Sequence, residues 1–304
     1  MIKNVRTIIS DFKKHLDEKN ISSFSTSDWY SLFSNELSNT FITTMYKINP
    51  KWLFRARPNF DSNGNAVDFF KNTKELWAPP YKKVKKQGRC NKVHQSLLYC
   101  SSNPTTTLFE TKPNTNDELT IVEYMVKNNI FPLGAIGVQD IVNVGDDFKK
   151  IFSNHFNNTS DESLVLDRIL SAVFKTNSDN TKDYPIYNLT NAITQIFLNK
   201  QIAKDLPKHL ISPKLIGLIY PSVETYLPLG VNIVMDPREV KNILVPKNAY
   251  KFKIIERISH HHYVYVQTFE TNKIYPNGEM KWSPSNGKQK EYITDLPVVG
   301  HNAP

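Results

Sequence analysis

Asn103-Pro104 leaves this chain little freedom at that point. An asparagine side chain accepts from the first free amides of a helix. Proline has no amide proton to lose, and its fixed φ suits the first helical position. A helix therefore starts at Pro104 and carries Leu108, Phe109 and Glu110. Just upstream, residues 97–101 form an apolar run of strand length with Tyr99 at its centre. A strand, a tight corner and a helix are thus predicted in close succession. Leu108 and Phe109 imply that the helix is partly buried, where a carboxylate such as Glu110 needs a partner. Arg89 is a candidate for that role.

The rest of the chain reads as strands with helices between them. Ile2, Val5, Ile8, Ile9, Phe12 and Leu16 recur at helical spacing, and a second helix is predicted from Ser27 or Asp28 through Leu37. Residues 1–50 are therefore expected to be a helical N-terminal extension. A strand signal at 52–55 precedes a polar loop at 58–72. The paired prolines Pro79 and Pro80 exclude a regular helix over 75–81. A basic run at 82–86 leads into Gly88-Arg89-Cys90-Asn91. Strands are predicted at 119–126, 215–220, 231–235, 240–245, 250–258 and 263–269, and helices at 161–175 and 189–202. The tail from Tyr275 is polar and reads as loosely structured. The fold class is α+β, with a main unit over 51–270 and a tail over 271–304.

Composition narrows the function classes. Thirty-eight basic and 29 acidic residues give a net charge of +9, which favours an anionic partner without choosing among nucleic acid, a phosphate-bearing metabolite and a membrane surface. No stretch approaches the roughly 20 apolar residues of a membrane span, and residues 1–17 lack the apolar core of a signal peptide. A cytoplasmic protein with no membrane partner is expected. Two cysteines, Cys90 and Cys100, are no disulfide framework and read as free thiols. Ten glycines in 304 residues make each one informative.

Several familiar chemistries are missing from the sequence. It contains no Walker loop, no Gly-x-Gly-x-x-Gly fingerprint and no Gly-x-Ser-x-Gly elbow. His260, His261 and His262 alternate faces if they lie on a strand, and no cysteine or carboxylate cluster stands near them, so no metal site is expected. The basic run lacks an accompanying helix-turn-helix, zinc finger or aromatic-interleaved RNA motif, so nucleic-acid readout is weakly supported.

Four side chains remain as candidates, each with a plain structural alternative. Arg89 presents a planar fork of donors suited to a pyrophosphate, beside a glycine that lets a ligand approach, but it also reads as a loop arginine. Tyr99 could stack on a ring or donate its hydroxyl, but it also reads as a core tyrosine. Glu110 could be a solvated helix residue. Ser222, in Tyr220-Pro-Ser222, could point into a cleft or simply form a turn.

Together the segments resemble the RES family. The matching pieces are Leu53-Phe-Arg-Ala-Arg57, Leu76-Trp-Ala-Pro-Pro80, Gly88-Arg-Cys-Asn91, Leu97-Leu-Tyr-Cys-Ser101, Thr107-Leu-Phe-Glu110 and Tyr220-Pro-Ser222, in the family's order. Cys90 departs from the pattern, since an aromatic residue is usual there. The resemblance implies a mixed β core similar to that of ADP-ribosyltransferases, and an enzyme that degrades NAD+ by phosphorolysis or hydrolysis. NAD+ is then a substrate, with phosphate or water as its partner, and no cofactor is implied. Many members are toxins, so an antitoxin protein is an implied partner.

By the same resemblance, Arg89 binds the dinucleotide phosphates, Tyr99 holds the nicotinamide end, and Glu110 and Ser222 complete the catalytic set. Asn91 and Arg55 fall at neighbouring binding positions. The chemistry suits these residue types. Nicotinamide leaves as a neutral ring, so no strong general acid is needed, and a carboxylate can stabilise the oxocarbenium-like ribose. Two rivals stay open at this stage: ADP-ribose transfer to a protein or nucleic acid, and a non-catalytic nucleotide-binding module.

Overall fold

A computed structural model of the chain describes residues 23–37, 43–46, 52–61, 64–127, 131–144, 149–150, 152, 161–176, 185–198, 215–222, 230–259, 262–285 and 292–293, with positions 7, 10 and 14. The helix expected over 2–16 lies outside them, apart from those three positions. His260 and His261 also lie outside.

The first helix, α1, spans Thr26–Leu37. Its cap is Ser25, one turn-start earlier than the sequence pattern indicated. The Ser25 amide donates to Asp28 Oδ2 at 2.8 Å, and the Asp28 amide donates back to Ser25 Oγ at 3.2 Å. This reciprocal pair satisfies two of the helix's open donors. Trp29 is fully buried on its inner face.

The strands are β1 (Thr43–Tyr46), β2 (Trp52–Pro58), β3 (Leu98–Ser101), β4 (Glu118–Val126), β5 (Phe131–Ala135), β6 (Gly217–Pro221), β7 (Val231–Met235), β8 (Leu244–Ser259), β9 (His262–Ile274), β10 (Met280–Pro284) and β11 (Tyr292–Ile293). They form one sheet in the order β1-β5-β6-β7-β3-β2-β4-β8-β9-β10, with β11 also on β9. All pairings are antiparallel except β5 with β6. The molecule is thus α+β, with a large and mostly antiparallel sheet.

Helices fill the connections. After β3 comes α2 (Pro104–Thr111), where the Asn103 side chain accepts from the Thr106 amide at 2.8 Å as its sequence predicts. A short α3 (Val138–Ile141) follows β5, and α4 (Asp161–Lys175) and α5 (Pro185–Leu198) precede β6. A one-turn α6 (Pro237–Val240) follows β7.

Several expectations need correction. Helix α5 begins at Pro185 rather than 189, because proline again takes a first-turn position. The strand expected over 240–245 begins only at Leu244: Pro237–Val240 is a turn of helix whose cap, Asp236, accepts from the Arg238 amide at 2.9 Å, and residues 241–243 are a turn. The polar tail from Tyr275 turns back at Gly278 and pairs with β9 as β10. The N-terminal extension also contributes a strand, β1, against β5.

Two buried clusters flank the centre of the sheet. One gathers Leu53, Leu98, Tyr124 and Ile233, and the other gathers Trp29, Phe174, Ile193 and Tyr220 under α1, α4 and α5. Between them, β2 pairs along its whole length with β4 but meets β3 only where Phe54 faces Ser101. Strands with different neighbours on either side separate at that point, and the sheet opens there.

Candidate active site

The opening between β2 and β3 leads into a cleft of about 490 Å³. Its walls include Arg55, Arg89, Asn91, Tyr99 and Glu110, which are five of the six residues singled out in the sequence. The sixth, Ser222, is buried just past the end of β6 and touches the cleft through Glu110.

Glu110 sits in the last turn of α2, which packs on β2. Its side chain is exposed rather than buried. Two neutral donors meet on one of its oxygens: Ser222 Oγ and Asn232 Nδ2 each donate to Oε1 at 2.6 Å. Asn232 is itself oriented, because Ser101 Oγ donates to its Oδ1 at 2.8 Å. Strand β7 can come this near because Gly230 precedes it. A Cβ there would lie 1.9 Å from Thr106 Oγ1 on α2. The carboxylate's partners are therefore Ser222 and Asn232, not Arg89.

Arg89 is held elsewhere. Its Nη1 donates to the carbonyls of Phe174 and, at 3.2 Å, Thr176. These are carbonyls at the C-terminal end of α4, where a helix has no internal donors left and a cation is favoured. The guanidinium also lies 5.5 Å from the ring centre of Tyr187 on α5. Nε and Nη2 have no protein acceptor among the described residues and remain able to bind an anion.

The loop around Arg89 is rigid for local reasons. The Thr190 hydroxyl donates to the Arg89 carbonyl at 2.5 Å, and Asn191 Nδ2 donates to the Gly88 carbonyl at 2.9 Å, so α5 splints the loop. Tyr99 completes it: its hydroxyl donates to Asn91 Oδ1 at 2.8 Å and accepts from the Cys90 amide at 3.0 Å. Asn91 Nδ2 closes the loop on the Lys92 carbonyl at 3.0 Å. Tyr99 and Asn91 therefore direct their polar atoms at the loop, and only the Tyr99 ring is offered to the cleft. Burial, reinforced by the neighbouring Cys90 thiol, raises the Tyr99 phenol well above its usual range, so it stays a neutral donor.

Arg55 lies in the seam itself. Its Nε donates to the Leu76 carbonyl at 3.2 Å and its Nη1 to the Tyr99 carbonyl at 3.1 Å. It stitches β2 to β3 where their ladder has ended. Both cysteines are free and buried, and burial pushes the Cys90 thiol up to about 11 and the Cys100 thiol up to about 12.

Asn232 and Ser101 were not singled out from the sequence. A lone amide inside the apolar run 231–235 is the signal that could have found the first. Tyr187 and Tyr220 also line the cleft. Among the described residues there is no cluster of three or more metal-ligating side chains, and no helix long and apolar enough to cross a membrane. Comparison of the chain with family models, with curated proteins and with solved structures finds no match.

Proposed function

We propose that the cleft binds NAD+ and breaks its nicotinamide–ribose bond, as in the RES family, on a core similar to that of ADP-ribosyltransferases. One observation carries this reading. The Glu110 carboxylate is fixed by two neutral donors on the same oxygen, leaving Oε2 without a protein partner among the described residues. A carboxylate held by a cation has its charge offset. One held by a hydroxyl and an amide keeps it, in a fixed position, for a cation that develops on the substrate.

In this account the pyrophosphate lies on Nε and Nη2 of Arg89, which fixes the ribose relative to Glu110. The Tyr99 ring packs on the nicotinamide end. As the C–N bond breaks, its electron pair goes to the pyridinium nitrogen, and nicotinamide leaves neutral. Positive charge grows on the anomeric carbon and ring oxygen beside Glu110. Phosphate or water then attacks that carbon, giving ADP-ribose 1″-phosphate or, with loss of a proton, ADP-ribose. The same resemblance implies an antitoxin protein as partner.

The test is nicotinamide release from NAD+ by purified protein, with and without inorganic phosphate, beside Arg89→Ala. Release that depends on Arg89 is expected, and its response to phosphate names the nucleophile. Label from NAD+ appearing on a macromolecule, with none in small products, would contradict it.

A further inference from the structure

A second cavity of about 450 Å³ lies on the other side of Arg55 from the cleft, and Arg55 lines both. Its volume is within the roughly 300–1,000 Å³ typical of small-molecule sites. Arg55 and Arg57 point to the same face of β2, two residues apart. Arg57 donates to the main-chain carbonyls of Glu75 and Phe60, and Arg55 to those of Leu76 and Tyr99. Carbonyls orient a guanidinium without cancelling its charge. Burial lowers the Arg57 pKa most and the nearby Arg55 charge next, against the Glu75 and Asp61 carboxylates, which raise it. Lys74 and Lys83 add two more cations to the walls, against the carboxylates of Asp61 and Glu75. Four positive groups face two negative ones.

The remaining wall is flat and apolar. Trp77 and the Pro79-Pro80 pair line it, and Trp77 is braced edge-on by Tyr124 with ring centres 5.5 Å apart. The Tyr124 hydroxyl donates to the Leu76 carbonyl at 3.0 Å, the same oxygen that Arg55 Nε uses. An indole held in place, next to paired guanidinia, suits a planar ring that carries a phosphate.

We propose that this cavity is a second nucleotide site, taking a nucleoside monophosphate with its phosphate on Arg55 and Arg57 and its base against Trp77. It is separate from the Glu110 cleft and does not depend on what that cleft catalyses. Arg55 is the shared wall, so a ligand on its guanidinium acts on the Tyr99 carbonyl that it holds.

The experiment is calorimetric titration of the full chain with AMP, using inorganic phosphate as the ring-free probe. Wild type is expected to bind AMP more tightly than phosphate. Binding should weaken about tenfold or more in Arg57→Gln, as loss of a charge-assisted hydrogen bond implies, and in Trp77→Leu, as loss of a stacking surface implies. In Arg89→Ala this binding persists, and any second AMP taken by the Glu110 cleft is lost. Lys74→Glu, at an exposed position, weakens binding without touching the fold and covers the case in which Arg57→Gln unfolds. No AMP binding would overturn the proposal. Binding lost in Arg89→Ala but kept in Arg57→Gln and Lys74→Glu would also overturn it, because AMP would then be in the first cleft.

Discussion

Ser222 Oγ reaches Glu110 Oε1 at 2.6 Å although 112 positions of chain separate the two residues. With Asn232 on the same oxygen, it makes the geometry of the carboxylate depend on β6 and β7 as well as on α2. Removing either donor loosens a group that must be held within about 0.5 Å of its productive position. A hydrogen bond to a charged group contributes about 1.5–3 kcal/mol. Ser222→Ala and Asn232→Ala should therefore each lower kcat about tenfold or more and leave KM for NAD+ little changed. Steady-state kinetics of nicotinamide release checks this.

Gly88 packs against the residues that hold Arg89. A Cβ there would meet Asn91 Oδ1 at 2.5 Å, the atom that accepts from the Tyr99 hydroxyl. Gly88→Ala must displace Asn91 or the loop, which costs about 1–3 kcal/mol, as overpacking does. Thermal unfolding should show a lower Tm, and KM for NAD+ should rise because the guanidinium moves.

The buried thiols give a pH dependence with a definite sign. Their ordinary value of 9.0 rises to about 11 for Cys90 and about 12 for Cys100. In the folded protein they stay protonated at pH 8, and the thiolate is the nucleophile. Alkylation should be slow from pH 7 to 9 and become fast on denaturation. The folded state holds these protons and the unfolded state releases them. Their contribution to stability is therefore complete below pH 9 and is lost progressively as pH rises from 9 through 11 to 12. A Cys90→Ala, Cys100→Ala double variant should lose less stability over that range, as denaturant titrations at pH 8 and 10.5 would record.

The parts of the fold that local chemistry controls were legible in the sequence. The Asn103-Pro104 helix start, the apolar strand around Tyr99 and the helical period of α4 all depend on neighbours a few residues away. What long-range pairing decides was not legible. That Asn232 rather than Arg89 would meet Glu110 depends on β7 lying beside β3, and nothing near 232 records that register. The polar residues around Tyr275 conceal a strand because β10 is held by β9 and by the Trp282 indole, which donates to the Phe70 carbonyl at 2.9 Å. Local polarity carries no trace of those partners. Strand β5 was missed because its proline and glycine argue against a strand, and only β1 and β6 on either side supply its ladder.

The central claim is that Glu110 stabilises charge on the ribose as nicotinamide departs. Glu110→Gln keeps the size of the side chain and its bond to the Ser222 hydroxyl while removing the charge. Single-turnover nicotinamide release and equilibrium NAD+ binding should be measured on this variant and on wild type. The account predicts release slower by about a hundredfold or more, as for the loss of one preorganised electrostatic group, with the Kd for NAD+ changed by less than about threefold. Equal losses in binding and in release, or release at the wild-type rate, would contradict it.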